Sequence, residues 1–195
     1  MEHEFWHERW AKKEIGFHEG TVNQYLHDHW PELAGKGTDA VFVPLCGKAH
    51  DMWWLHDRGH PVIGVELSEL ACKDFFEEAG EKAKVHPGEP FITFKHDNLQ
   101  LWCGDFFQLV PEDLKHVRLV YDRAALIALP PHMRRDYVNH LTAIIPDGTR
   151  ILLITLDYDN KIEHILTNTL AKDHPFTKRK GLENASESVF RLTKL

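Results

Sequence analysis

Val41-Phe42-Val43-Pro44-Leu45-Cys46-Gly47-Lys48, followed by Gly59-His60-Pro61-Val62-Ile63-Gly64-Val65-Glu66-Leu67-Ser68, decides the fold. The apolar run Val41 to Val43 enters a turn bearing Pro44 and Gly47, and a helical stretch follows. A second apolar run, Val62 to Val65, ends on an acid, Glu66. Such strand–turn–helix–strand units build open parallel sheets, whose ligands sit at the carboxyl ends of the strands. An acid there can accept both hydroxyls of a ribose. The pattern therefore points to an adenosine-containing cofactor.

The rest of the chain extends the alternation. Strand Ala40–Val43 leads to a helix over Ala49–Arg58, and strand Val62–Val65 to a helix over Glu69–Ala79 with Ser68 as N-cap. Phe91–Lys95 and Leu99–Cys103 flank His96-Asp97-Asn98 and read as a hairpin, or as a strand reached through one. Strand Leu119–Tyr121, helix His132–Ile144 and strand Ile151–Leu156 follow, and Val189–Leu192 reads as a final strand. Before the first strand, Glu4 to Glu14 and Val22 to Trp30 are aromatic amphipathic stretches, the second stopped by Pro31. They read as an N-terminal helical cap, residues 1–35, over the ligand edge of a single domain spanning 1–195. The fold class is α/β, a Rossmann-like doubly wound sheet.

Composition narrows the partners. The 195 residues suit one sizeable core. Twenty-three basic against 30 acidic side chains give a charge of −7, which disfavours a nucleic-acid surface. The short run Lys178-Arg179-Lys180 reads as a solvated turn. No apolar stretch is long enough to span a bilayer, and the acidic, aromatic start is not a secretory signal. Cys46, Cys72 and Cys103 form no CxxC pair, so reduced thiols in a cytoplasmic protein are expected. Fifteen histidines are scattered without a ligand pattern, and no metal is expected. No membrane partner is expected, and without an obvious apolar stripe a monomer is.

Four constellations carry candidate chemistry. The first turn offers Gly47 alone, not the three glycines of a dinucleotide fingerprint. A cofactor without a phosphate chain needs no such cradle, which favours S-adenosylmethionine over a nicotinamide dinucleotide. Glu66 follows Gly47 by nineteen residues, near the spacing of a ribose-binding acid. Asp105, after the strand ending at Gly104, can accept the amine of an adenine while Phe106 covers its ring; a turn acid closing a core strand reads the same way. Asp122-Arg123 at the end of another strand is either a local ion pair or a site in which Arg123 holds an anionic acceptor and Asp122 orients it. Trp10 and Phe17 can face a sulfonium cation with their rings, or simply pack in the core.

Phe5-Trp6 with Trp10, Ile15-Gly16-Phe17-His18, Val43 to Lys48, Gly64 to Ser68, Trp102 to Phe107, and Tyr121 to Pro130 together resemble the thiopurine S-methyltransferases, the bacterial branch most closely. The resemblance runs from residue 4 to about Tyr158. It implies a class I methyltransferase fold of seven strands with an antiparallel final hairpin. It also implies cofactor contacts at Trp10, Leu45, Glu66, Asp105, Phe106 and Arg123, and acceptor contacts at Phe17 and Arg123. The expected reaction is transfer of a methyl group from S-adenosylmethionine to a thiol or thione sulfur, with selenium and tellurium compounds as further acceptors and detoxification as the role. Asp122 and Arg123 are the candidate catalytic residues. Halide or thiocyanate methylation is the near alternative; cofactor binding without turnover and a nicotinamide oxidoreductase are the distant ones. After Asp159 the resemblance breaks. A gap of roughly twenty residues, the size of a functional loop and a short helix, precedes a return near Gly181-Leu182. A second substrate-side arginine expected there has no clear counterpart near Phe176 and Arg179.

Overall fold

The computed structural model describes residues 3–12, 14, 18–157, 167–168 and 186–195. Helices α1 (His3–Ala11) and α2 (Gln24–Ala34) precede the sheet. Then β1 (Ala40–Val43), α3 (Asp51–Asp57), β2 (Val62–Glu66) and α4 (Glu69–Glu78) form the unit quoted above. Three strands follow: β3 (Lys84–His86), β4 (Ile92–His96) and β5 (Leu99–Cys103). Short α5 (Pro111–Leu114) leads to β6 (Val117–Arg123), short α6 (Ala125–Ala128) and α7 (Pro131–Ile144). Last come β7 (Arg150–Asp157), β8 (Thr167–Asn168) and β9 (Ser186–Thr193).

The strands form one sheet in the order β3-β4-β5-β2-β1-β6-β7-β9-β8. β5, β2, β1, β6 and β7 run parallel, while β9 returns antiparallel to β7. The final hairpin is therefore present, but the sheet has nine strands where seven were expected. The additional pair is β3 and β4, laid antiparallel on the outer edge of β5. Strand β3 escapes a reading by hydrophobicity because Lys84, Val85 and His86 are all exposed. Antiparallel pairing with β4 holds it in the sheet.

Alternation along the strands feeds two cores. Val41 and Val43 of β1, with Leu119 and Tyr121 of β6, face α2, α3 and α4, packing with Leu26, Trp30, Met52 and Phe75. Phe42 and Val120 face the other way, toward Phe106, Tyr137, Leu141 and Ile144. Both faces of the parallel strands are covered, as a doubly wound sheet requires. Helix α2 does not stop at Pro31; it runs on to Ala34 and ends at Gly35, φ 67°. A proline inside a helix forfeits one backbone hydrogen bond, at about 3 kcal/mol. Burial of Trp30, Leu33 and Ala34 offsets that loss. Among the described residues no helix is long and apolar enough to cross a membrane.

Candidate active site

The rim lies where β1, β2, β5 and β6 end side by side. Its first wall is the turn after β1. Leu45 has φ 45°, in the left-handed region that a branched side chain rarely enters, and Gly47 has φ 53°. The turn is tied down by Cys46 N–H, which donates to Val65 O at 3.0 Å. A Cβ on Gly64 would lie 2.8 Å from Cys46 Sγ and 2.9 Å from Met52 Sδ, so β2 needs glycine there to let the turn approach. Strain of this kind persists where surrounding structure enforces it, and it clusters at ligand sites.

Glu66 occupies the end of β2 and is buried. Its Oε2 accepts from Gly47 N–H at 2.9 Å and its Oε1 from Ser68 N–H at 2.8 Å. The indole of Trp10, from α1, also donates to it. Burial pushes this carboxyl up to about 7, against the pull of those donors. Trp10 is itself buried, and its ring lies 3.3 Å from where a Cβ on Gly47 would stand. The N-terminal helix thus delivers an aromatic ring to the turn and the acid together.

Asp105 follows β5 and caps a short 3-10 turn, its Oδ1 accepting from Phe107 N–H at 3.0 Å. Phe106 stands apart from the expectation of a ring on the rim. Its side chain is fully buried, 5.0 Å from the Tyr137 ring and 6.5 Å from that of Phe42, measured between centroids.

At the end of β6 the two charged residues part. Asp122 points into the α7 side, where its Oδ2 accepts from Tyr137 O–H at 2.6 Å and its Oδ1 from Ala125 N–H at 3.2 Å. Burial raises it to about 6. Arg123 points the other way. Its Nε lies 3.2 Å from Asp51 Oδ2 and its Nη1 3.3 Å from Glu19 Oε2. Asp51 is the residue that sequence reading missed. It is buried, accepts from Tyr121 O–H and Asn23 N–H, both at 2.8 Å, and so joins α3, β6 and the start of α2. Its partners lie 28 and 70 residues away, beyond any local pattern. Phe17, like Phe176 and Arg179, falls outside the described residues.

A second convergence was equally illegible. One ligand atom each of His18, His50 and Glu78 lies within 4.8 Å of the others. Cys46, Cys72 and Cys103 are free thiols. Burial pushes Cys46 upward, so it stays protonated beside Glu66.

The sequence model of the thiopurine S-methyltransferase family matches residues 1–164. This chain belongs to the thiopurine S-methyltransferase family. A thiopurine S-methyltransferase of Marinobacter nauticus is 73% identical over 218 residues, covering 100% of both chains. One from Pseudomonas entomophila is 41% identical over 216 residues, again covering 100% of both. Those alignments are longer than the 195 residues present here, as a chain that skips part of the family's length requires. Solved structures show the same fold at low identity. The glycopeptide N-methyltransferase MtfA complexed with sinefungin has TM-score 0.56 at 15% identity, over 91% of this chain and 69% of that one. An RNA methyltransferase from Salinibacter ruber in complex with S-adenosyl-L-homocysteine has TM-score 0.52 at 17%, over 90% and 95%. The fold is that of class I methyltransferases, and membership of the family makes the chain an S-adenosylmethionine-dependent methyltransferase. The residues present fit that cofactor: a buried acid able to accept ribose hydroxyls with an indole beside it, and one glycine in the turn rather than a phosphate cradle.

Proposed function

We propose that this thiopurine S-methyltransferase homologue moves a methyl group onto the sulfur of a small thiol or thione, with selenium and tellurium compounds among its acceptors and detoxification as its role. The observation that supports the reading most is the convergence of Trp10, Gly47 and Glu66 at the carboxyl edge of the sheet, with Arg123 on the same rim. Bound S-adenosylmethionine supplies an activated methyl on a positively charged sulfur, a leaving group that needs no acid. Glu66 accepts the ribose hydroxyls, Leu45 and Asp105 flank the nucleoside, and Phe106 contributes backbone. Trp10 and the rest of residues 1–35 cap the rim of one domain, 1–195, and exclude water.

Arg123 draws an aromatic thiolate or thione to the methyl and favours its anion, so no strong base is required. To do so it exchanges its contact with Glu19 for the acceptor while Asp51 keeps hold of its Nε. Asp122 acts as a brace behind the rim rather than as a base, since its donors Tyr137 and Ala125 stand on the α7 side, away from the rim. Holding reactants in attack geometry can supply roughly 7–11 kcal/mol, so positioning is the main task of these residues. The net charge of −7 suits a monomeric cytoplasmic enzyme acting on small molecules rather than nucleic acid.

Isotope transfer from methyl-labelled cofactor tests the reading. A thiopurine should take label in preference to thiocyanate, with selenite methylated as well. Preference for thiocyanate or iodide would move the enzyme to the halide class. Cofactor binding with no labelled product from any thiol would leave a binding protein.

A further inference from the structure

We propose that His18, His50 and Glu78 form a binding site for a divalent transition-metal ion of the zinc class, beside the methyl-transfer rim. The three come from separate elements: His18 from the arm before α2, His50 from the residue before α3, and Glu78 from the last turn of α4. Their ligand atoms are mutually within 4.8 Å, and the two imidazole rings lie 5.6 Å apart at 32°. Zinc holds histidine nitrogen and carboxylate oxygen at about 2.0–2.2 Å, so tetrahedral ligands stand about 3.4 Å apart. Binding therefore requires the three side chains to draw in by up to about 1.4 Å. Two imidazoles and one carboxylate with a fourth position open suit zinc, nickel, cobalt or copper, whereas magnesium and calcium want oxygen alone.

The cluster has a built-in neighbour in Lys48. Glu78 accepts a hydrogen bond from the Lys48 ammonium. Lys48 is also the competitor. It is buried, and its Nζ lies 2.5 Å from Glu78 Oε1 and 3.9 Å from Asp74 Oδ2. An ion that takes Glu78 leaves the ammonium to Asp74 and meets its repulsion. This makes a specific mark of the site: removing the lysine charge should tighten metal binding. Bound metal would also fasten residue 18, next to the Glu19 that pairs with Arg123, to the turn and to α4.

Calorimetric titration of the tag-free full chain with zinc chloride tests this, with visible absorption of the cobalt complex as a second readout. One equivalent should bind, and cobalt should show the intense bands of a tetrahedral site. His50→Ala and Glu78→Gln should each weaken zinc at least tenfold, and Lys48→Met should strengthen it severalfold. Glu78 sits on an exposed helix end, so Glu78→Gln decides the matter should His50→Ala fail to fold. Zinc affinity unchanged in Glu78→Gln would overturn the site and leave an adventitious ion only. Titration of the same samples with S-adenosylhomocysteine reports the methyltransferase reading separately, because the metal site does not depend on it.

Discussion

Glu66 and Asp122 are both acids at the carboxyl ends of parallel strands, both buried, and both raised by that burial, to about 7 and about 6. Their partners differ. Glu66 receives backbone N–H groups from the rim turns and an indole from the N-terminal cap, all of them at the ligand edge. Asp122 receives a tyrosine hydroxyl from α7 and the N–H that opens α6, both behind the sheet. On the proposed reading, an acid at a strand end serves as a site or a brace according to the face on which its donors stand. Both carboxyls ionise less readily folded than unfolded. Their ionisation lowers stability as pH rises from 4.5 through about 7 for Glu66, and from 3.8 through about 6 for Asp122, and the loss levels off above.

The largest expected effect separates the two acids. Glu66→Ala should weaken S-adenosylhomocysteine by about 3 kcal/mol, roughly a hundredfold, through loss of charge-assisted bonds to the ribose. Calorimetry would show it, and an unchanged affinity would remove Glu66 from the site. Tyr137→Phe should do the reverse. It takes a donor from an ionised, buried Asp122 and should lower unfolding free energy by about 2 kcal/mol at pH 8, read as a denaturant midpoint. Cofactor affinity should stay as in the parent. A fall in affinity there would make Asp122 part of the site after all.

How much of this contrast the sequence disclosed follows from distance along the chain. The alternation of strands and helices was legible because parallel strands covered on both faces read as apolar runs between turn residues. Glu66 was legible for the same reason, since strand, turn and acid lie within one βαβ unit. The edge strand Lys84–His86 was not, because nothing in it is buried. The stop assigned to Pro31 failed because tertiary burial of Leu33 and Ala34 outweighed a local rule. Its place after a strand end, and the resemblance, set Phe106 by the adenine, whereas its ring is buried in the core. Asp51 and the trio of His18, His50 and Glu78 converge only once the sheet has formed, and no local spacing announces them.

Acidity sharpens the comparison further. If the ionised form of Glu66 binds the ribose, affinity for S-adenosylhomocysteine should rise about tenfold from pH 6 to pH 8, with a midpoint near 7. Asp122 titrates with its midpoint near 6 and contributes no such step if it is only a brace. A flat profile, or one centred near 6, would contradict the division of roles between them.

The smallest effect tests what Trp10 does to its neighbour. Its indole N–H is one of the donors that hold Glu66 below the value burial alone would impose. Trp10→Phe keeps an aromatic ring beside Gly47 and deletes only that donor. The carboxyl should then become harder to ionise, and the midpoint of the binding profile should move above about 7. Well above the variant's raised midpoint, where Glu66 is charged in either protein, the affinities should draw together. A midpoint that stays in place would mean that the cap touches the acid without tuning it, and a loss of affinity equal at every pH would mean that the indole serves the cofactor directly.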